Sequence, residues 1–502
     1  MPATHRVAYV ETPGAFSSMP VPLGKQVPFG WPAFALKRGG GVVLSWRTTP
    51  VAPRSMRLTL ALAEREHKVV EVVDIASGEV AATFEWHAPA FLQTLEVELP
   101  KNIALGGGVL LRVVRGNDPV FFFGVGVGQK PPLTLSPMLL PHVLEFEKNE
   151  HSDPLGEFYP RLQSMASLQA FGWRTGGVWE GLWALSRLPG GGKARSALNS
   201  QLSMALSPGG RLSYLNPSNH PVEKTPHGVE VLYPLSFLAA MDPHHKAVVG
   251  ALQWADKHTD PATGAIRSGD LLLRDALPAA TFFGALARHG DRDSDFASRA
   301  WAQLAARREA LIDGEAIWSL AHSDGRKHGM NRSRSLGFFA LAVARTLELL
   351  PSESQAGLWR ERAAELAEVI LNSQRTDGLW GVFFDPTGFS ADEGDPEAGA
   401  TSLFALFLMI GVREGWLGPE ARISAARAAT ALREQLTPDG YLFATEAESP
   451  PYRPAFVPPG GFPASAFEDG DFQLPEPPPT YPTGELAPWA MGWLAAALAE
   501  LS

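Results

Sequence analysis

The spacing of apolar positions changes period once along the chain. Up to about residue 140, short runs of β-branched and aromatic residues ("GVVLSWRTT", "MRLTLALAE", "KVVEVVDI", "VAATFEWH", "TLEVELP", "GVLLRVVRG", "VFFFGVGVG") are separated by Gly and Pro. Seven or eight strands at that spacing predict an antiparallel β-sandwich over residues 1–138. Three consecutive phenylalanines, Phe121 to Phe123, are expected in its core or against a second domain. Residues 139–154 read as a linker. From about residue 155 apolar positions recur at steps of three and four, which is the helical period. It predicts twelve helices, near 155–170, 173–188, 192–206, 228–241, 243–258, 273–290, 293–312, 332–350, 352–374, 397–416, 418–435 and 484–501.

A short phrase recurs between these helices. "TDGLW" stands at Thr376–Trp380 and "TPDGYLF" at Thr437–Phe443, with weaker versions in "SPGGRLSYL" from Ser207, "DPATGAIRS" from Asp260 and "IDGEAIWS" from Ile312. Each follows the second helix of a pair, where Gly supplies a left-handed cap and Asp or Pro sets the turn. Five such markers divide the region into six helical hairpins if the first and last helices close on one another. The expected fold class is therefore multidomain β + α: the β-sandwich followed by an (α/α)6 barrel over residues 155–502. An open solenoid or two bundles are the alternatives. The long aromatic, Pro-rich insertion at 448–485 favours an enzyme-like barrel over an interaction solenoid.

Composition adds limits. With 502 residues, 45% of them apolar, the chain supports a large core and two domains. A net charge of -10 without a basic cluster argues against nucleic acid as partner. The start has no leader-like apolar segment and no run has membrane length, so the reading is cytoplasmic, with no membrane partner. The absence of cysteine excludes disulfides, thiolate zinc sites and a Cys nucleophile. His244 and His245 are adjacent at a helix start and point apart, which suits a surface better than a metal. No metal or organic cofactor is required.

Chemistry is expected at the starts of the inner helices, whose N-termini converge on one mouth. Those starts carry Trp179, His227, Glu230, Arg274, Asp275, Arg334, Glu397, Thr401 and Trp489. Arg forks a carboxylate, Trp stacks on a pyranose face and a carboxylic acid moves protons, so the set suits a sugar acid. Each position also has an ordinary use: Asp275 and Glu397 as helix-start acids, Arg334 as an ion-pair arginine, His227 and Glu230 as solvated residues behind a cap, Trp179 and Trp489 as core.

From Asn331 to Gly418 the order of motifs, "SRSLGFFALAVARTLELLP", "RTDGLWGVFFD" and "EAGATSLF", with "RDALPAATFFG" upstream, resembles the unsaturated glucuronyl and rhamnogalacturonyl hydrolases of glycoside hydrolase families 88 and 105. The β-glucuronidases of family 154 are a close alternative. The resemblance implies a six-hairpin barrel in which Asp275 is the proton donor, Arg334 lies near the substrate and Thr401 touches the uronate carboxylate. The family's motif histidine falls on Ser319, with His322 nearby. Its Trp and first serine fall on Phe338 and Gly399, and for an earlier aspartate only His227 or Glu230 could substitute. The implied reaction removes a terminal uronic acid from a glycan fragment: the acid protonates a C4–C5 double bond and water adds at C5. A saturated glucuronide would call instead for a second carboxyl group, from Glu230 or Glu397. The alternatives are a polysaccharide lyase using Tyr214 or Tyr233 with His227, and a non-catalytic carbohydrate-binding barrel. A homo-oligomer through the β-domain is compatible with all of these.

Overall fold

The computed structural model describes residues 4–11, 20–64, 66–87, 89–101, 103–145, 153–215, 221–223, 226–290, 295–314, 316–385, 395–444 and 484–501. The 448–485 insertion, apart from Gly484 and Glu485, lies outside them. The chain divides into two compact units, Met1–Lys224 with Gln435–Glu448 and Tyr481–Ala495, and Thr225–Glu434 with Ser449–Thr480 and Ala496–Ser502.

The first unit opens with the strands β1 (Thr4–Val10), β2 (Ala33–Leu36), β3 (Gly41–Trp46), β4 (Pro53–Thr59), β5 (His67–Asp74), β6 (Val80–His87), β7 (Thr94–Glu98), β8 (Val109–Arg115), β9 (Val120–Phe123) and β10 (His142–Glu145). They form one curled antiparallel sheet with a separate β2–β9 ribbon, rather than two independent sheets. The reason lies in β1: Thr4–Val7 pair with β10 and Ala8–Val10 pair with β3, so one strand joins the two halves. The segment read as a linker supplies β10, which runs between β1 and β4. Alternation sends Phe34, Leu36 and Phe122 to one apolar cluster with Leu58, Val72 and Leu111, and Phe121 and Phe123 to another with Trp31 and Leu139. The phenylalanine triplet is thus core on both faces.

In the order of the chain come α1 (Pro154–Leu162), α2 (Trp173–Ser186), α3 (Gly192–Ala205) and the strands β11 (Ser213–Leu215) and β12 (Pro221–Glu223). The first helix is shorter than predicted, because Ser164 accepts from the Ala166 N–H and starts a separate 3₁₀ turn at Met165–Ser167.

The second unit contains α4 (Leu232–Met241), α5 (Lys246–His258), β13 (Leu271–Leu272), α6 (Ala276–His289), α7 (Phe296–Leu311), β14 (Ile312–Asp313), β15 (Ala316–Ala321), β16 (Lys327–Met330), α8 (Ser333–Leu349), α9 (Ala356–Asn372), α10 (Ala398–Arg413) and α11 (Pro419–Glu434). Helix α4 packs on α6, α6 on α8 and α8 on α10, each backed by the helix that follows it in sequence. Composition separates the two layers. Fourteen successive residues of α10 are buried, as are eleven of α6, whereas α5, α9 and α11 bury one face.

The last elements, β17 (Phe443–Ala444), β18 (Gly484–Leu486) and α12 (Pro488–Leu501), follow α11. Strand β18 pairs with β7, Gly484 opposite Glu96, so a late segment extends the N-terminal sheet. Helix α12 meets α2 through glycine: a Cβ on Gly492 would overlap the Gly177 carbonyl.

The recurring phrase is a recurring hydrogen-bond pattern. In the loops at Ser207, Arg375 and Thr437 the first residue's N–H donates to the carbonyl four residues on, and the glycine N–H donates back to the first residue's carbonyl. The five marker glycines, Gly210, Gly264, Gly314, Gly378 and Gly440, all have positive φ. In the last marker, Asp439 meets β4: Arg57 donates Nη1 and Nη2 to its two oxygens at 2.6 and 2.9 Å, and Nε to Glu96 at 2.6 Å. Both partners are buried. The pair holds Asp439 well below the usual carboxylate range.

Removing Asp439 leaves the Arg57 charge buried and half paired. Asp439→Ala should cost about 3–5 kcal/mol, read as a fall in denaturation midpoint at pH 7. Acid should act through two buried imidazoles of the same unit. Burial lowers His5 to about 4 despite Asp439 at 3.4 Å, and lowers His142 as well. Both are neutral when folded and take up protons more readily when unfolded. Stability should therefore fall as pH drops below about 6.5 and keep falling toward 4, and His5→Gln should flatten that slope in thermal scans.

Candidate active site

The "TDGLW" marker leads into a segment that fixes the starts of two inner helices. Trp380 accepts from the Glu397 N–H at 2.7 Å, and Val382 donates to Asp395 at 2.9 Å. On the other side Ser333 donates to Val382 at 3.0 Å and Phe384 to Asn331 at 2.9 Å. The first turns of α8 and α10 are thus laced to one stretch of backbone. Asn331 itself has φ 54 and is buried. Its Oδ1 accepts from Ile317 N at 2.9 Å, which ties β15 to the same point.

Glu397 is the N-cap of α10. Its carboxylate accepts from Gly399 N at 3.1 Å, from Ala400 N, and from Arg334 Nη2 at 2.5 Å, and it is fully buried. Thr401 donates to the Glu397 carbonyl at 2.7 Å and accepts from Trp380 N at 3.0 Å. Its hydroxyl is engaged with backbone on both sides, and the residue is fully buried.

Asp275 closes the 3₁₀ turn Leu273–Asp275 that leads into α6, and this turn packs on α8. The carboxyl takes no hydrogen bond among the described residues, and the residue keeps 7% of its surface open. Burial raises its pKa, opposed by the guanidinium groups of Arg274 and Arg307. A carboxyl whose pKa is raised in a nearly dry site is what general-acid chemistry asks for.

The other sequence candidates are dispersed. Glu230 is the middle residue of the short turn Val229–Val231 before α4, after Gly228 with φ 101, and is half-buried, while His227 is exposed. Both stand near the start of the inner helix next to α6. His322 pairs with Asp270 at 3.0 Å on the β15–β16 hairpin. Ser319, in the same hairpin, shares a 2.8 Å hydroxyl contact with Ser335 of α8. Trp179 is fully buried in the first unit, its indole N–H on Gln201 at 3.0 Å. Trp489 is buried there too, against Trp173 and Trp493. Neither tryptophan has a free face. Arg307, Asn331 and Ser335 escaped sequence reasoning. Arg307 sits on the buried face of an outer helix, and its signal, an arginine at an apolar position of the period, was available.

Residues 283–449 match the family model described as Glycosyl Hydrolase Family 88, a segment that carries Arg334, Glu397 and Thr401 and begins after Asp275. Protein Atu3128 of Agrobacterium fabrum is 34% identical over 102 residues, 20% of this chain and 43% of the relative. The chain thus spans less than half the length of this curated relative. A family 88 glycosyl hydrolase from Bacteroides vulgatus shares the fold at TM-score 0.51 and 14% identity, covering 70% of this chain and 97% of that one. A family 105 glycoside hydrolase of C. acetobutylicum does so at TM-score 0.54 and 14% identity, with 70% and 99% covered. The polysaccharide lyase BACCELL_00875 is similar in fold at TM-score 0.50 and 14% identity, with 70% of this chain and 96% of that one covered. The fold likeness implies an (α/α)6 barrel for the helical region. Over the matched segment this chain is thus similar to glycoside hydrolase family 88, and in fold it is similar to solved members of families 88 and 105.

Proposed function

We propose that the chain is a cytoplasmic glycoside hydrolase that removes a terminal uronic acid from glycan fragments, with residues 155–502 as the catalytic region after an N-terminal β-sheet domain and Asp275 as general acid/base. The observation that carries this reading is the contrast between two buried carboxyl groups. Glu397 spends its oxygens on two backbone N–H groups and Arg334, whereas Asp275 is unbonded among the described residues and raised by burial. One poised acid, with the other buried carboxylate Glu397 spent on a cap and an ion pair among the described residues, favours hydration of an unsaturated uronide, where one group protonates C4 and then deprotonates the attacking water. A saturated glucuronide would need Glu230 as the second group. The family 88 match over residues 283–449 supports the hydrolase reaction, and the order of motifs supports the substrate class.

The direct test pairs wild type with Asp275→Asn on an unsaturated uronyl disaccharide and on a saturated aryl β-glucuronide. The expected outcome is loss of the double-bond absorbance with wild type and a fall in kcat/KM of roughly 10²–10⁴-fold in the variant. An unimpaired variant would remove Asp275 from the mechanism, and a rise in absorbance on intact polyuronides would make the protein a lyase. Activity should decline as pH rises through the elevated pKa of Asp275, because the protonated form is the donor.

Glu397→Gln separates cap from catalyst. Loss of the charge should cost about 1.5–3 kcal/mol in chemical denaturation. A variant of unchanged stability but abolished turnover would instead give Glu397 the second catalytic role.

A further inference from the structure

Arg307, on α7, is fully buried and touches no carboxylate among the described residues. Its donors go to uncharged acceptors: Nε to Leu272 O at 3.0 Å, Nη2 to Ile266 O at 2.7 Å, and Nη1 to the carbonyl and Oε1 of Gln303 at 3.1 and 3.0 Å. Carbonyls satisfy hydrogen bonds without cancelling charge, and an uncompensated ion in a protein interior is expensive. Such a residue needs a reason. The one opposing charge that acts on it is Asp275, and burial still brings the guanidinium down to about 10.

Geometry supplies the connection. Leu272, whose carbonyl Arg307 holds, immediately precedes the Leu273–Asp275 turn, and α7 packs on that turn. We propose that Arg307 is a positioning residue for Asp275: it clamps the backbone that carries the carboxyl and sets a fixed positive charge behind it, so that the buried acid can still give up its proton. The catalytic meaning of this role rests on the function proposed above.

Other charges face the same turn. Arg274 lies on it, and Arg332 and Arg334 stand at the start of α8, which packs against it. The first turns of α6, and β13 and β15, present no titratable side chain. Arg274 and Arg307 are the two that oppose the effect of burial on Asp275. Arg274 is only half-buried, which leaves Arg307 as the charge solvent does not screen.

The test reads the Asp275 carboxyl directly, by carbon NMR titration of the full chain, with the resonance assigned by its loss in Asp275→Asn. Arg307→Met removes charge and clamp, Arg307→Gln removes charge but keeps an amide donor for the carbonyls should the methionine variant fail to fold, and Arg307→Lys keeps the charge. The expected result is an Asp275 midpoint raised by about one unit in the neutral variants and returned toward wild type in the lysine variant, with the pH–rate limb moving in parallel. An unmoved midpoint in a folded neutral variant, or a lysine variant shifted as far as the glutamine, reduces Arg307 to a structural clamp and overturns the proposal. If Asp275→Asn stays active, the reading of Asp275 as the acid fails and the positioning role falls with it. An inactive Asp275→Asn together with an unmoved midpoint removes only this inference.

Discussion

The carboxylate of Glu397 is the interaction on which the candidate site depends. A helix start leaves backbone N–H groups without intrahelical partners, and in a buried inner helix water cannot supply them. Glu397 does so for α10 and uses its remaining capacity to hold Arg334 of α8. Neighbouring inner helices are thereby tied at their first turns, and the Asp275 turn packs on one of them, α8. The marker segment Trp380–Phe384 repeats the tie through backbone alone. What the chain writes as a turn signal is therefore also the scaffold of the site.

The protein buries charge in two different ways. Around Arg57 the charges are matched: Asp439 and Glu96 take its donors, and the aromatic ring of Tyr441 lies 5.1 Å from the guanidinium. Breaking such a set is costly, and it serves structure. Around Asp275 the charges are not matched: its carboxyl takes no hydrogen bond among the described residues, Arg307 donates only to uncharged oxygens, and each opposes the effect of burial on the other.

Much of the fold was legible because burial dictates composition. The helical period and the Gly-centred turns at the helix junctions were enough to place eleven of the twelve helices within a few residues of where they form, while α1 ends eight residues early at Leu162. The sheet was less so. Alternation reveals strands but not which strand is shared, and β1, split between two neighbours, makes one curled sheet from what reads as two. His142–Glu145 looked like a linker because a four-residue strand carries too short a pattern to register. In the site, helix starts were the right places to look, yet residue type alone could not separate a capping Glu397 from an unbonded Asp275, since both are acids at the start of an apolar helix. Trp179 and Trp489 show the same ambiguity resolved toward packing.

The pairing of β18 with β7, and of Asp439 with Arg57 across 382 residues of sequence, has a further consequence. Contacts of such separation make the first unit's folding slow in principle, because the loop between partners must close before they reward it. During synthesis the N-terminal strands emerge early and Glu96 can already meet Arg57, but the edge at β7 and the second half of the Arg57 pairing wait for residues about 380 positions later. The sheet that begins the protein is among the last parts that can be finished.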